Sequence, residues 1–183
     1  MISTNPPRWT ELGGEIRRAI RDVPNFPKAG IVFKDITPLL ADVILFRKVT
    51  EAMAEPFRTS GITHVAAIES RGFLLGAPVA LELGAALVPV RRPGKLPCAT
   101  ESIEYALEYG TDRLEIHVDA CDAKANVLIV DDVLATGGTA VAVGDLVRSR
   151  GAAVAGFSFL LALSALRGER RLGSSIVHRL VSY

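Results

Sequence analysis

Residues 127–139 read VLIVDDVLATGGT. Val127, Leu128, Ile129 and Val130 follow one another without polar alternation, the pattern of a strand buried on both faces of a parallel sheet. Two acids, Asp131 and Asp132, stand at the end of that strand. A turn of small residues follows: Ala135, Thr136, Gly137, Gly138 and Thr139. Val143, Leu146 and Val147 then recur at helical spacing, and Gly151 is placed to end the helix.

A strand, a glycine turn and a helix start make an anion site. The first N–H groups of a helix have no intrahelical partner, and its dipole favours negative charge there. Gly137 and Gly138 allow close approach of the backbone, and the hydroxyls of Thr136 and Thr139 add donors. The two carboxylates would repel a phosphate, so they are better suited to accept hydrogen bonds from neutral hydroxyls, such as a vicinal diol. A phosphate beside a diol describes a ribose 5-phosphate. An aspartate pair capping any helix, with glycines that serve only the turn, would account for parts of the pattern. Lys-Ser/Thr does not follow the glycines, and G-x-G-x-x-G is absent from the stretch, so two better-known phosphate loops do not fit.

The chain has 183 residues, enough for one full core, and a separate second domain is not expected. Apolar content of 49% and a net charge of +1 suit a globular protein and give no support to a nucleic-acid-binding surface. The longest apolar stretch, near residues 157–166, falls short of the about 20 residues that cross a bilayer. MISTNPPRWTELGG lacks a basic-then-apolar signal pattern, and Cys98 and Cys121 lack metal-type spacing. A cytoplasmic protein with free thiols and no membrane association is expected.

Strand and helix alternate along the chain, which predicts a parallel sheet covered on both faces. Leu12, Ile16 and Ile20 mark a first helix ended by Pro24. Residues 26–40, FPKAGIVFKDITPLL, read as an irregular cap outside the sheet. After Asp42, a helix buries Phe46, Val49, Met53 and Phe57, with Pro56 ending or kinking it. Strands are expected at residues 64–68 and 86–90, and a helix between them ends at Gly84. Ligands of such sheets bind beyond the carboxyl ends of the strands. Glu69-Ser70-Arg71-Gly72 and the basic run Arg91-Arg92-Pro93-Gly94-Lys95 stand at two further strand ends, suited to an anionic group. Residues 93–113 form the longest connection, followed by a strand at residues 114–118, and read as a flexible hairpin.

VLIVDDVLATGGT resembles the 5-phosphoribosyl-1-diphosphate (PRPP) motif of type I phosphoribosyltransferases. GIVFKD and YALEYG narrow the resemblance to the adenine-specific branch of that family, from about Phe26 to the C-terminus. The resemblance implies one α/β domain over residues 1–183, a central mostly parallel sheet flanked by helices. A small hood would occupy about residues 1–40, the core about 41–183, and a flexible catalytic loop would project from it. The implied reaction converts adenine and PRPP to AMP and diphosphate, a step of purine salvage, in a homodimer.

By the same resemblance, Asp131 and Asp132 bind the ribose hydroxyls, and Ala135, Thr136, Gly137, Gly138 and Thr139 bind the 5-phosphate. Glu69, Ser70, Arg71, Arg91 and Lys95 bind diphosphate, and Val32, Phe33 and Lys34 lie against adenine. Glu108 serves acid/base catalysis, with Tyr109 beside it in a lid. Mg²⁺ is expected to be held mainly through PRPP and water, with no direct protein ligand. Displacing diphosphate from C1 builds oxocarbenium-like charge, and the incoming base must lose a proton, which a carboxylate can take. Hypoxanthine-guanine members carry Asp where this chain has Ala135, so another carboxylate must act. Two departures stand out: Ala162 where many relatives have Glu, and Glu69 where several have Asp. The alternatives are a phosphoribosyltransferase for another base and a non-catalytic regulator that senses PRPP.

Overall fold

The computed structural model describes Trp9, residues 11–106 and residues 110–183, and the chain divides into two compact units between Ala52 and Met53. In the first unit, helix α1 (Leu12–Ala19) buries Leu12 and Ile16. It stops at Ile20, not at Pro24, because residues 21–24 form strand β1 (Arg21–Pro24), paired antiparallel with β2 (Val32–Asp35). The expectation of an irregular segment over residues 26–40 is corrected here, since β2 and the short helix α2 (Thr37–Ala41) occupy much of it. The pairing partner supplies what local composition lacks. Asp35 Oδ1 accepts hydrogen bonds from the Thr37 amide and hydroxyl at 2.9 and 2.8 Å, which opens α2, and Pro38 is tolerated in its first turn.

Helix α3 (Val43–Ala54) runs across the boundary between the units. Asp42 Oδ1 caps it, accepting from the amides of Ile44 and Leu45 at 3.0 Å each. It gives way to a 3₁₀ turn (Glu55–Phe57), as Pro56 requires, because proline has no N–H to continue the ladder. Val49, Met53 and Phe57 are buried as expected, and Phe46 is half-buried.

The second unit carries β3 (His64–Ile68), α4 (Arg71–Leu83), β4 (Ala86–Val90), β5 (Thr100–Ala106), β6 (Thr111–His117), β7 (Asn126–Leu134), α5 (Gly138–Ser149), β8 (Ala153–Ala162) and β9 (Val177–Ser182). Five of these strands form a parallel sheet in the order β4-β3-β7-β8-β9, and β5 and β6 pair as a separate antiparallel hairpin. Chain order therefore reverses between β3 and β7. The connections on either side of that point run to opposite sides and leave a crevice at the strands' carboxyl ends. Gly84 ends α4 in the left-handed region (φ 63°), and Gly151 does so after α5 (φ 79°).

The core around the sheet is aliphatic. Val127, Leu128, Ile129 and Val130 are fully buried, and the rings of Phe157 and Phe159 on β8 stack with centroids 6.4 Å apart. Ser158 is a buried polar side chain on β8, and its hydroxyl donates to the Met53 carbonyl at 2.9 Å. Strand β7 is longer than its apolar run. Its pairing with β8 continues through Asp131↔Phe159 to Leu134↔Ala162, so the two aspartates lie within the strand and not after it. Both cysteines are free thiols. Among the described residues, no helix is long and apolar enough to cross a membrane.

Helix α4 lies so close to β3 that a Cβ on Gly76 would overlap that of Ala67. Gly76→Val is expected to cost about 2 kcal/mol or more by overpacking. Urea unfolding followed by circular dichroism checks this, as a lowered midpoint with an unchanged slope.

Candidate active site

Strand β7 pairs with β3 only as far as Ala67↔Val130, whereas its pairing with β8 goes on to residue 134. Past Val130, one edge of β7 therefore faces a cleft of about 700 Å³. Its walls include Glu69, Ser70 and Arg71 after β3, Asp131 and Asp132 on β7, and Ala135 and Thr139 in the turn that follows. Arg92, Tyr105 and Asp112 complete the polar lining. The volume suits a ligand of nucleotide size.

The turn into α5 has the geometry that an anion cradle needs. Gly137 adopts φ 81°, open to glycine at no steric cost, and its carbonyl begins the helical ladder by accepting from Val141 N at 3.0 Å. The turn is braced from behind by Gly168, which packs so tightly on Ala135, Thr136 and Gly137 that a Cβ at residue 168 would collide with the Ala135 carbonyl. A smaller hollow of about 60 Å³ is bordered by Asp131, Ala135, Thr136, Gly137 and Thr139. The free amides at the start of α5 and the Thr136 and Thr139 hydroxyls supply donors in this turn.

Asp132 is only 4% exposed, and Asp131 is half-buried. Asp131 Oδ1 accepts from the Asp132 amide at 2.8 Å. Arg71 Nε stands 2.7 Å from Asp132 Oδ2 as an ion pair, yet that buried oxygen takes no hydrogen bond from the described residues. A buried carboxylate oxygen left in that condition is suited to a donor from a ligand, such as a sugar hydroxyl. Burial pushes the Asp131 carboxyl well above the ordinary carboxylate range, and the neighbouring charge of Asp132 pushes it further. Asp132 is also raised by burial, with the Arg71 guanidinium working against the rise.

The basic residues are arranged less freely than their sequence suggests. Arg91 Nε donates to Glu69 Oε2 at 3.0 Å, its Nη1 donates to the Lys95 carbonyl at 3.0 Å, and its guanidinium lies 5.9 Å from the centre of the Phe73 ring. Lys95 is exposed, and neither Arg91 nor Lys95 is among the residues that line the cleft. Arg92 does line it, with Nη2 3.8 Å from Asp112 Oδ2. The buried carboxylate of Glu115 holds the intervening loop, accepting from Gly94 N at 3.0 Å and from the Thr100 hydroxyl at 3.2 Å.

Val32, Phe33 and Lys34 lie on β2 in the N-terminal unit, where alternation puts Phe33 on the opposite face from the other two. The Phe33 ring meets that of Phe26 edge-on at 5.2 Å, and Lys34 Nζ lies 2.6 Å from Asp22 Oδ1. Glu108 and Tyr109 lie outside the described residues. Ala162 closes β8 beside a cavity of about 280 Å³ bordered by Leu134, Leu163 and Arg167. Tyr105 and Asp112 were not singled out as site residues from sequence, and Arg92 was read only as part of the basic run at residues 91–95. The cross-strand pairing of Tyr105 with Asp112 is the signal that brings the first two together.

A glycine turn into a helix beside two carboxylates, at the switch point of a parallel sheet, is an arrangement suited to a phosphorylated pentose. The family model described as phosphoribosyl transferase domain matches residues 36–177, and the chain belongs to the phosphoribosyltransferase family. Relatives that it matches within that family include adenine phosphoribosyltransferases. One from Myxococcus xanthus is 53% identical over 174 residues, covering 95% of each chain. The crystal structure of another, from Thermoanaerobacter pseudethanolicus, superposes with a TM-score of 0.91 at 48% identity over 93% of this chain and 99% of that one. The Saccharomyces cerevisiae enzyme, complexed with an imino-altritol bisphosphate and adenine, gives a TM-score of 0.87 at 39% identity, covering 93% and 98%.

The raised carboxyl of Asp131 has a stability consequence of fixed sign. Between the ordinary carboxylate value and the raised folded one, the folded chain binds more protons than the unfolded chain, so stability falls as pH rises. Above the folded value the full cost of ionisation is present. Asp131→Asn keeps the acceptor for the Asp132 amide and removes that charge. Without ligand, the variant should melt above wild type at about pH 7.5, with the gap closing as pH falls toward about 4. A gap that widens on acidification in thermal melts would contradict the assignment.

Proposed function

We propose that this chain transfers the 5-phosphoribosyl group of PRPP to adenine, yielding AMP and diphosphate. The observation that carries the reading is the side-by-side placement of Asp131 and Asp132 with the residue 135–139 turn at the switch point. Its relatives' names fit the same reaction. In this assignment the 5-phosphate lies on Ala135, Thr136, Gly137, Gly138 and Thr139, and the ribose hydroxyls donate to Asp131 and Asp132. Glu69, Ser70 and Arg71 face the diphosphate from the end of β3, and Arg92 joins them from beyond β4, with Arg91 and Lys95 shaping its loop. Val32, Phe33 and Lys34 of the N-terminal hood are assigned to adenine.

In the reaction the C1–O bond to diphosphate breaks as a ring nitrogen of adenine bonds to C1. The proton on that nitrogen passes to Glu108, which follows β5 in the sequence. Positive charge on the sugar ring grows in the transition state, and the carboxylates of Asp131 and Asp132 lie on the ribose side to offset it. Ala135 presents only a methyl group to the cleft, so the proton acceptor used for 6-oxopurines at that position is lacking, which favours adenine over guanine and hypoxanthine.

Mg²⁺ fits the donor set as a partner of the ligand. The carboxylates of Glu69, Asp131 and Asp132 are hard oxygen donors, and the described residues assemble no cluster of three metal-binding side chains. Asp131 and Asp132 would hold the ion through its water shell, and PRPP would hold it otherwise. When bound, Mg²⁺ neutralises charge on the leaving group. A homodimer is part of the proposal, and the exposed Leu74 and Leu81 on one face of α4 are suited to a second copy. So is a cytoplasmic location, with no membrane or nucleic-acid partner.

Rates of AMP formation from adenine and PRPP, with guanine, hypoxanthine and orotate as competitors, test the reading. Glu108→Gln is expected to lower kcat about 100-fold or more, the usual share of a positioned acid/base group. An unchanged kcat would remove Glu108 from the mechanism and leave the reaction standing. Absence of AMP with wild type would remove the reaction itself.

A further inference from the structure

Glu115 is only 6% exposed on β6, between Leu114 and Ile116. Alternation puts those two on the opposite face, where they join the core of the second unit. A carboxylate withdrawn from water needs donors, and both of its oxygens find them in one loop. Oε1 accepts from Gly94 N at 3.0 Å, and Oε2 accepts from the Thr100 hydroxyl at 3.2 Å. The backbone of Glu115 is engaged too. Its amide donates to the Arg91 carbonyl at 2.8 Å, and the Arg91 amide donates to the Glu115 carbonyl at 3.0 Å, an antiparallel bridge. One residue thus fixes the place where the chain leaves β4, the place where it turns and the place where it enters β5.

The bridge also decides where charge goes. With Arg91 held in extended pairing, Val90 and Arg92 lie on the face opposite to its own. Val90 enters the core, and Arg92, one step further on that face, lines the cleft with Leu114. Arg91 is engaged by Glu69 and by the Lys95 carbonyl. Gly94 adopts φ 74°, which lets the loop reverse there and aims its amide at the Glu115 carboxylate. The Arg92 side chain is 66% exposed and, among the described residues, pairs only with Asp112, at 3.8 Å. So loose a contact does not hold a long side chain in one place, and its delivery to the cleft depends on the backbone beneath it.

We propose that Glu115 is a positioning residue for the diphosphate end of the cleft, clamping the loop after β4 so that Arg92 is presented to the diphosphate of PRPP before any ligand arrives. The inference rests on the phosphoribosyl reading of the cleft. Glu115 is not among the residues that line the cleft, and it acts through the backbone that carries Arg92. A loop ordered in advance lowers the cost of ordering it on binding. Loss of the clamp is therefore expected in the affinity for PRPP and not in the chemical step.

Steady-state AMP formation and calorimetric titration of inorganic diphosphate with Mg²⁺ test this in wild type, Glu115→Ala, Glu115→Gln, Arg92→Ala and the Glu115→Ala, Arg92→Ala pair. Glu115→Ala should raise KM for PRPP and Kd for diphosphate about 10-fold, with kcat and KM for adenine within about 2-fold of wild type. Glu115→Gln keeps an oxygen for the Gly94 amide and offers an N–H to the Thr100 hydroxyl, so most of the affinity should return. In the Arg92→Ala background Glu115→Ala should add less than about 2-fold, because the side chain it positions is gone. Thr100→Val removes one bond of the clamp and should raise both constants about 3-fold, which decides the matter if Glu115→Ala does not fold. An unchanged KM for PRPP in the Ala and Val variants overturns the proposal, as does a lowered kcat at unchanged KM, the mark of lost folded protein alone. Full multiplication of the two effects in the paired variant also overturns it, and so does a Gln variant no better than Ala. Wild type that binds diphosphate but forms no AMP removes the proposed reaction alone, and the calorimetric ratios still decide the role of Glu115. Wild type that does neither overturns both.

Discussion

The site exists because β7 outruns one neighbour and not the other. Hydrogen bonding to β8 keeps the chain extended through Leu134, while β3 stops pairing at Ala67 and turns away into α4. Backbone on that edge of β7 would be costly to leave buried without partners, so it opens onto a cleft. The aspartates, the start of α4 and the turn assigned to a sugar phosphate are gathered around this mismatch in strand length. The aspartates occupy the overhang, α4 starts beside it, and the cradle turn closes its far end. Gly72 belongs to the same constraint, since a Cβ there would stand 2.9 Å from Asp131 Oδ1.

The free chain carries an electrostatic cost at that overhang. Burial raises the proton affinity of both adjacent carboxylates, the charge of Asp132 raises that of Asp131 further, and Arg71 together with backbone amides is set against the rise. A core built for stability alone would not keep this pair. In the proposed complex, sugar hydroxyls supply the donors that the protein withholds, so ligand binding relieves a defect built into the fold. The proposed cradle has a different character. Its donors are backbone amides fixed by α5 and braced by Gly168, and they are in place before any anion arrives.

Much of this architecture was legible in residues 127–139. Uninterrupted branched side chains identify a doubly buried strand, and the strands at residues 64–68 and 86–90 are found at those limits. The end of β7 was not legible, because pairing to β8 and not composition carries the strand through two aspartates. The same reason hides β2, whose ladder is supplied by Arg21–Pro24, and the short edge strand β9. Among the site residues, the turn and the aspartates were readable as a unit because they are contiguous. Tyr105 and Asp112 were not, since their convergence depends on the hairpin register. The basic run after β4 gave the right segment, but sequence alone could not tell that Arg91 would be engaged by Glu69 while Arg92 faces the cleft.

The central claim is that the amides and hydroxyls of the residue 135–139 turn hold a 5-phosphate. Calorimetric titration of AMP against adenosine isolates that group, because the two ligands share base and sugar. Charge-assisted hydrogen bonds from a preformed cradle predict that AMP binds about 100-fold more tightly, or about 2.7 kcal/mol. Equal affinities for the two ligands would show that the phosphate is not held by this turn, and would contradict the account at its base.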